Sequence, residues 1–306
     1  MNAPEKLPFF ELDIWISQQL EAVEQALAEW VACPQAAPAP AELGDAMRYA
    51  VLDGGKRLRP LLVLAACEAV GGNEQAALRA ACAVELIHAY SLVHDDMPCM
   101  DNDVLRRGKP TVHVRYGQAQ ALLAGDALQA LAFELLTPED ATVRPRTQAA
   151  LCRLLAQAAG FQGMAGGQAI DLASIGKLLS SPELHAMHRL KTGALLQACV
   201  MMGAACGTAS TSAQRALRDY GDTLGLAFQV VDDILDVVAD SATLGKTAGK
   251  DAAQQKPTFV SLMGLHGAQN YAQELLSQAR ASLKVSELKN TAALSALADM
   301  LVNRSS

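Results

Sequence analysis

The sequence predicts an all-α fold, a single large bundle in which outer helices enclose a few buried ones. Hydrophobic residues make up 51% of the 306 residues, whereas aromatic residues make up only 4%. Ala and Leu dominate the apolar set, and both are strong helix formers, while strands favour β-branched and aromatic residues. No alternating apolar pattern indicates a strand, and no repeat of fixed period is evident. Because no Pro/Gly/Ser-rich linker divides the chain, we expect one domain over residues 1–306.

Apolar residues at helical spacing predict helices along most of the chain. The first is expected from Glu11 to Ala32, before a loop that carries three prolines. Segments 76–93 and 194–206 are apolar nearly all the way round, which places them at the centre of the bundle. The remaining helices are predicted at 41–52, 59–70, 74–97, 118–136, 147–161, 163–173, 182–206, 213–238, 257–264, 269–284 and 286–302.

Charge and cysteine usage argue against several classes of protein. The formal net charge of −7 disfavours general nucleic-acid binding. No run of 18 apolar residues is free of charge, and the N-terminal residues have no basic stretch followed by an apolar one. The sequence therefore predicts no membrane-spanning helix and no secretory signal. Seven cysteines without a C-x-x-C pair are typical of reduced thiols in a cytoplasmic protein.

Two acidic clusters, each at the end of an apolar helix, are the strongest indication of function. Asp232 and Asp236 are four residues apart and share a helix face. Asp95 and Asp101 cannot share a face of a straight helix, so Pro98 must bend or end the helix and let Asp101 return. Such carboxylates suit Mg²⁺, which shares its oxygen ligands with substrate phosphates. The clusters comprise Asp95, Asp96, Asp101, Asp232, Asp233 and Asp236.

Cationic residues lie beside both clusters, as expected if the carboxylates hold a metal-bound polyanion. The segment Gly54–Pro60 is a glycine turn leading into a helix start, a setting that favours phosphate. His88 is seven residues before Asp95, on the same helix face, and could donate to a second phosphate group; a buried core histidine is the alternative. Further cations are Lys56, Arg59, Arg106, Arg107, Lys191, Lys246 and Lys256.

These motifs resemble those of the trans-prenyltransferases, specifically the bacterial-type farnesyl diphosphate synthases. The resemblance covers residues 40–262 and rests, in order, on GGKRLRP, ELIHAYSLVHDDMPCMDNDVLRRGKPTVH, GDAL, GGQAIDL, KTGALL, FQVVDDILD and GKTAGKD. It implies a bundle of roughly ten or more helices around a deep central cavity, usually a homodimer. It also implies head-to-tail condensation of dimethylallyl or geranyl diphosphate with isopentenyl diphosphate, giving mainly farnesyl diphosphate (C15) and pyrophosphate.

The resemblance also implies a role for each matching residue. The six aspartates would be ligands of about three Mg²⁺ ions that hold the allylic diphosphate. Asn102 interrupts an acidic run that many relatives have, although it is not one of the D-D-x(4)-D positions. Allylic-substrate contacts would come from Arg106, Lys191, Lys246, Lys256, Gln168 and Asp171. Isopentenyl diphosphate would be held by Lys56, Arg59, His88 and Arg107, and the catalytic residues would be Lys191, Thr192 and Gln229.

Product length is predicted from the helix that precedes the first cluster. Helical arithmetic puts Ser91 beneath Asp95, and Tyr90 about 7.5 Å along the axis but further round the helix. Relatives that make longer products tend to have a smaller residue at the fifth position before the cluster. An aromatic ring at Tyr90 therefore predicts a cavity floor and a C15 product, whereas an ordinary core role is the alternative.

Several other functions remain open on the sequence alone. A geranylgeranyl or geranyl diphosphate synthase shares the chemistry and differs at the cavity floor. A class I terpene cyclase also carries D-D-x-x-D, but its second metal motif differs, and the cations for a second diphosphate would be unexplained. A metal phosphohydrolase lacks suitably spaced histidines, and a non-catalytic subunit would usually have lost one cluster. The expected partners are small diphosphates, without nucleic acid or stable membrane insertion.

Overall fold

Helices form nearly all of the regular structure in the computed structural model, which describes residues 10–32, 42–52, 54–177, 179–238 and 258–304. The all-α prediction is thereby confirmed. A two-stranded antiparallel hairpin, β1 (Leu105–Arg106) and β2 (Lys109–Pro110), and a π-helical turn, Arg189–Gly193, are the other described elements. The helices are α1 (Leu12–Trp30), α2 (Leu43–Val51), α3 (Leu58–Ala69), α4 (Glu74–Asp95), α5 (Val112–Tyr116), α6 (Gln118–Leu136), α7 (Pro145–Ala159), α8 (Met164–Ala173), α9 (Ser181–His188), α10 (Ala194–Ala205), α11 (Thr211–Val238), α12 (Phe259–Val285) and α13 (Ala292–Val302).

The two helices predicted for the centre are α4 and α10, and both lie there. Asn73 caps α4, its side chain accepting a hydrogen bond from the Ala76 amide at 2.9 Å. α4 packs against α3 and α6, while α10 packs against α3, α7 and α11. Ile87 of α4 and Met202 of α10 are fully buried. Burial on every side explains why these two sequences have no polar face.

Length and composition alone would allow α4 and α6 to span a membrane. Within the bundle, however, 67% of the apolar window of α4 is buried, as befits a central helix, against 39% for α6. α6 therefore keeps part of its apolar surface exposed. The six described cysteines, which exclude Cys33, are all free thiols.

One predicted helix, 182–206, is interrupted by local geometry although its apolar pattern continues. It is divided into α9, the π-helical turn and α10. Side-chain periodicity persists there while the backbone hydrogen-bond pattern changes, so periodicity alone does not detect the change. The break predicted between helices 257–264 and 269–284 is confirmed, because Gly264 has a non-helical φ of 74° and ψ of 162° and kinks α12.

The sequence analysis also missed α5 and the β1–β2 hairpin. Both elements are too short to produce a periodic signal. The hairpin has a two-residue loop, Arg107-Gly108, with φ values of 52° and 74°. Left-handed geometry at both loop residues is typical of a type I′ turn, which matches the twist of paired strands. Gly108 was therefore the available signal for this hairpin.

Candidate active site

A cavity of about 550 Å³ opens where the C-terminal ends of α4 and α11 meet α8 and the π-helical turn. Residues from both acidic clusters and from the basic motifs share its wall with apolar side chains such as Met164, Leu172 and Phe228. The residues that the sequence singled out and that line this cavity are Arg59, His88, Tyr90, Ser91, Asp95, Arg106, Arg107, Gln168, Lys191, Thr192 and Asp232.

The first acidic cluster turns back on itself after α4 ends. The Asp101 amide donates a hydrogen bond to the carbonyl oxygen of Asp95 at 2.8 Å. The backbone therefore returns to the end of α4 within six residues. Asn102 supports this turn with a φ of 51°, a conformation that Asn tolerates better than most residues. Burial raises the pKa of Asp95 to about 6, although Lys191 opposes the shift. An ionised Asp95 is thus costly here unless a cation approaches it.

The β1–β2 hairpin carries two adjacent arginines whose side chains bind different partners. Arg106 Nε donates to both carboxylate oxygens of Asp96, at 3.0 and 2.8 Å. Arg107, in the left-handed turn position, donates to the Gly54 carbonyl at 2.5 Å. The Gly54-Gly55 turn leaves room for this guanidinium, since a Cβ on Gly55 would lie 2.8 Å from it. The hairpin therefore links the first acidic cluster to the glycine turn before α3.

The second cluster contributes Asp232 to the cavity wall, while Asp233 joins two helices behind it. Asp232 lines the cavity and forms an ion pair with Arg304, which follows α13. Asp233 accepts a hydrogen bond from the Phe259 amide at 2.7 Å and from Gln229 at 2.8 Å. It thereby joins α11 to the first residue of α12. Asp236 is buried.

The π-helical turn presents Lys191 and Thr192 to the cavity. Lys191 Nζ donates to Asp171 at 2.5 Å, and the Thr192 hydroxyl donates to Gln229 at 3.2 Å. A hydrogen-bonded series therefore runs from Thr192 through Gln229 to Asp233. π-helical turns inside helices are frequent at functional sites.

Gly167 of the GGQAIDL motif allows α8 to approach this turn. A Cβ at Gly167 would lie 2.1 Å from the Lys191 amide nitrogen and 2.5 Å from its Cα. These neighbours are backbone atoms and cannot rotate away. The motif is thus explained by a close helix contact that fixes the position of Lys191.

Of the four residues expected to hold isopentenyl diphosphate, Arg59, His88 and Arg107 line the cavity, whereas Lys56 is not among its lining residues. Burial and the nearby guanidinium of Arg59 hold the pKa of His88 well below its usual range, so its imidazole is neutral. Burial and the charge of Arg304 lower the pKa of Lys56. Lys246 and Lys256 lie outside the described residues.

Arg304 is a component that the sequence analysis missed. Its guanidinium lies 4.4 Å from the centroid of the Phe228 ring, while that of Arg59 lies 5.9 Å from the same ring. Cations over an aromatic face are attracted by its quadrupole. No local motif surrounds Arg304, so only the packing of α13 brings it to Asp232.

The donor set at this cavity matches the chemistry of Mg²⁺. Among the described residues, no three aspartate, glutamate, histidine or cysteine side chains form a ready-made metal cage. Mg²⁺ is commonly held by one or two carboxylates together with substrate phosphates, and Asp95 and Asp232 offer carboxylates from two helices to one cavity. Asp232 already attracts a cation, the guanidinium of Arg304.

Comparison with known proteins shows the family of this chain. Residues 40–295 match the family model for polyprenyl synthetase. The chain is 47% identical over 298 residues to the farnesyl diphosphate synthase of Escherichia coli, covering 94% of this chain and 98% of that one. It is 45% identical over 296 residues to a chloroplastic geranylgeranyl pyrophosphate synthase of Capsicum annuum, covering 96% and 79%. A geranyltransferase from Helicobacter pylori, solved with magnesium and isoprenyl diphosphate, superposes with a TM-score of 0.83 at 33% identity, covering 98% of this chain and all of that one. With its two acidic clusters on one cavity, this chain belongs to the polyprenyl synthetase family.

Proposed function

We propose that this protein is a Mg²⁺-dependent prenyltransferase that condenses isopentenyl diphosphate with dimethylallyl or geranyl diphosphate, giving mainly farnesyl diphosphate. The observation that carries the proposal is the shared cavity, in which Asp95 and Asp232 face the same space as Arg59, Arg107 and Lys191. Carboxylates for metal ions and separate cations for a second diphosphate are what two diphosphate substrates require.

The allylic diphosphate would bind between the two acidic clusters. Asp95, Asp101 and Asp232 would hold about three Mg²⁺ ions, with Asp96 orienting Arg106 through their bidentate contact. Lys191 would contact the same diphosphate. Gln168 supports an approach of ligand from α8, because its buried side-chain oxygen has no hydrogen-bond partner among the described residues. Lys246 and Lys256 remain sequence-based predictions for this substrate.

Isopentenyl diphosphate would lie on the side of Lys56, Arg59, His88 and Arg107. A neutral His88 can donate one ring proton to a phosphate oxygen without adding positive charge beside the three cations. The Arg guanidinium groups suit bidentate contact with phosphate oxygens. The two diphosphates would therefore occupy neighbouring sites whose apolar tails enter the same cavity.

The reaction needs charge stabilisation and exclusion of water more than a protein nucleophile. Bound Mg²⁺ supplies Lewis-acid stabilisation of the departing diphosphate. Lys191 and Arg106 stabilise the same charge as the allylic C–O bond breaks and its electron pair leaves with the diphosphate. The π bond of isopentenyl diphosphate forms the new C–C bond, and the proton lost goes to the released pyrophosphate. Thr192 and Gln229 present oxygen dipoles near the carbocation, and apolar walls keep water out.

Chain length is proposed to depend on Tyr90. Its side chain lines the cavity and packs edge-on against His94, with ring centroids 5.7 Å apart. Tyr90→Ala is expected to open the floor and shift the main product from C15 to C20 or longer. Product analysis by chromatography checks this, with Tyr116→Ala, an aromatic residue outside the cavity wall, as control. An unchanged C15 spectrum in Tyr90→Ala would contradict a role as floor.

Incubation with Mg²⁺, isopentenyl diphosphate and geranyl diphosphate, followed by identification of the products, tests the proposed function. A C15 diphosphate that disappears when a chelator is added is expected. A mainly C20 or C10 product would mean that the condensation occurs as proposed. It would favour the second candidate, a geranylgeranyl or geranyl diphosphate synthase. The 45% identity to a geranylgeranyl pyrophosphate synthase is the observation that supports this second candidate. Cyclic products or free alcohols without condensation would contradict the proposal.

We further propose a cytoplasmic homodimer in which residues 1–306 form one domain. The six free cysteines support a reducing compartment. Among the described residues, one buried hydrophobic cluster from Trp15 to Val302 supports one domain. For the dimer, the support is the apolar surface of α5 and α6, where Val114, Leu122 and Leu123 are about half exposed.

Leu122→Glu with Leu123→Glu is expected to convert the dimer to a monomer, because charge would be buried at an apolar interface. Size-exclusion chromatography with light scattering measures the mass directly. Leu262→Glu, at an exposed leucine of α12, is the matched control and should leave the mass unchanged. A dimer that persists in the double variant would show that this face is not the interface.

A further inference from the structure

A second basic site lies at the end of the bundle away from the active-site cavity. A groove of about 500 Å³ is formed by the start of α7, the end of α10 and the first half of α11. Arg144, Arg146, Arg153 and Arg218 line it, and we call it the arginine groove. Arg218 and Asp232 both belong to α11, so about 21 Å of helix axis separates the groove from the second acidic cluster.

The arginine groove has four guanidinium groups in its wall, and Asp222, four residues after Arg218 on α11, is a nearby negative charge outside that wall. No aspartate or glutamate is among the residues that line the groove. Within the described part of the chain, none of the four guanidinium groups has a hydrogen bond or an ion pair, whereas Arg57, Arg106 and Arg304 each do. Four like charges in one groove of a protein whose net charge is −7 repel one another. A bound anion would relieve that repulsion.

The geometry of the groove favours a phosphate over a smaller anion. Arg146 and Arg153 are seven residues apart on α7 and therefore lie on the same helix face. Arg218 approaches from α11, so guanidinium groups reach the groove from two helices. Each guanidinium can donate two parallel hydrogen bonds to phosphate oxygens. Met201 and Leu154 add an apolar surface beside the charges.

We propose that the arginine groove binds a phosphate or diphosphate group, separately from the active site. The group belongs either to a free small molecule, inorganic pyrophosphate or a prenyl diphosphate, or to a phospholipid headgroup; the chemistry of recognition is the same. The contacts are made by Arg146, Arg153 and Arg218, with Arg144 at the groove's end. This inference does not rest on the proposed reaction, since binding at the groove requires no turnover.

Isothermal titration with inorganic pyrophosphate, in the presence of a chelator, tests the groove directly. The wild-type chain is expected to show a binding step that the triple variant Arg146→Gln, Arg153→Gln, Arg218→Gln lacks. Each removed guanidinium should weaken the step by about tenfold or more, as for other hydrogen bonds to charged groups. Arg215→Gln, an exposed arginine of α11 outside the groove, is the matched control for loss of charge.

Three comparisons distinguish the outcomes. Loss of the pyrophosphate step in the triple variant but not in Arg215→Gln supports the site with a free ligand. If pyrophosphate gives no such step, co-sedimentation with phosphatidylglycerol vesicles is the second assay. Co-sedimentation of the wild-type chain and of Arg215→Gln, but not of the triple variant, supports the site with a phospholipid headgroup as its ligand. Identical titrations and identical co-sedimentation in wild type and triple variant, or equal losses in Arg215→Gln, would overturn the proposal. Circular dichroism verifies folding of each variant, and prenyl transfer by the triple variant is expected to equal that of wild type.

Discussion

Replacing either Asp95 or Asp232 with alanine is expected to lower turnover by at least about 10²–10³-fold while the fold is retained. Losing one group that stabilises transition-state charge has effects of this size. Asp95 and Asp232 face one cavity from α4 and α11. Burial already raises the pKa of Asp95 to about 6, so the charged carboxylate does not stabilise the metal-free fold. Removing it should therefore harm catalysis much more than stability.

Steady-state kinetics and thermal unfolding together check this result. Asp219→Asn, which changes an exposed aspartate on the same helix as Asp232, is the control and should leave both quantities unchanged. Near-normal turnover in both alanine variants would refute the metal assignment. Unfolding of Asp95→Ala would instead assign that carboxylate a structural role.

Gly167→Ala is expected to be the most damaging substitution outside the charged residues. The added Cβ would lie 2.1 Å from the Lys191 amide nitrogen, so α8 or the π-helical turn must move. Overpacking of this kind costs about 1–3 kcal/mol of unfolding free energy. Displacing Lys191 and Thr192 by about 1 Å is expected to lower kcat by roughly 10²-fold.

Gly193→Ala is the matched control, since it introduces the same methyl group into the same turn. Its Cβ would meet the His188 carbonyl oxygen at 3.6 Å, an ordinary contact. We expect near-normal kcat and an unchanged or slightly higher melting temperature for Gly193→Ala. Equal kinetics for the Gly167 and Gly193 variants would show that close packing of α8 does not position Lys191.

The sequence predicted the helical class and the central helices because burial leaves a pattern in local composition. α4 and α10 lack a polar face, and both are enclosed. Spacing predicted that Asp101 must return towards Asp95, which the Asp101–Asp95 backbone hydrogen bond bears out. Spacing could not show that Asp233 would be engaged by the first residue of α12, because that contact joins residues 26 positions apart.

Contacts between distant elements account for what the sequence left undetermined. Arg304 reaches Asp232 only because α13 packs against α3, α11 and α12. The role of Gly167 depends on the approach of α8 to a turn that begins more than 20 residues later. The arginine groove likewise combines α7 with α11, and its arginines look like ordinary surface charges when the sequence is read alone.

The most direct test of the central claim, that the two acidic clusters form one metal–diphosphate site, is a calorimetric titration of Mg²⁺ in the presence and absence of pyrophosphate. To separate this site from the arginine groove, the titration uses the Arg146→Gln, Arg153→Gln, Arg218→Gln background. We predict weak Mg²⁺ binding alone and much tighter binding with pyrophosphate, because the ions need ligands from both the carboxylates and the diphosphate. Asp95→Ala and Asp232→Ala should each abolish the tight step. Tight binding of Mg²⁺ and pyrophosphate that survives both substitutions would contradict a shared site.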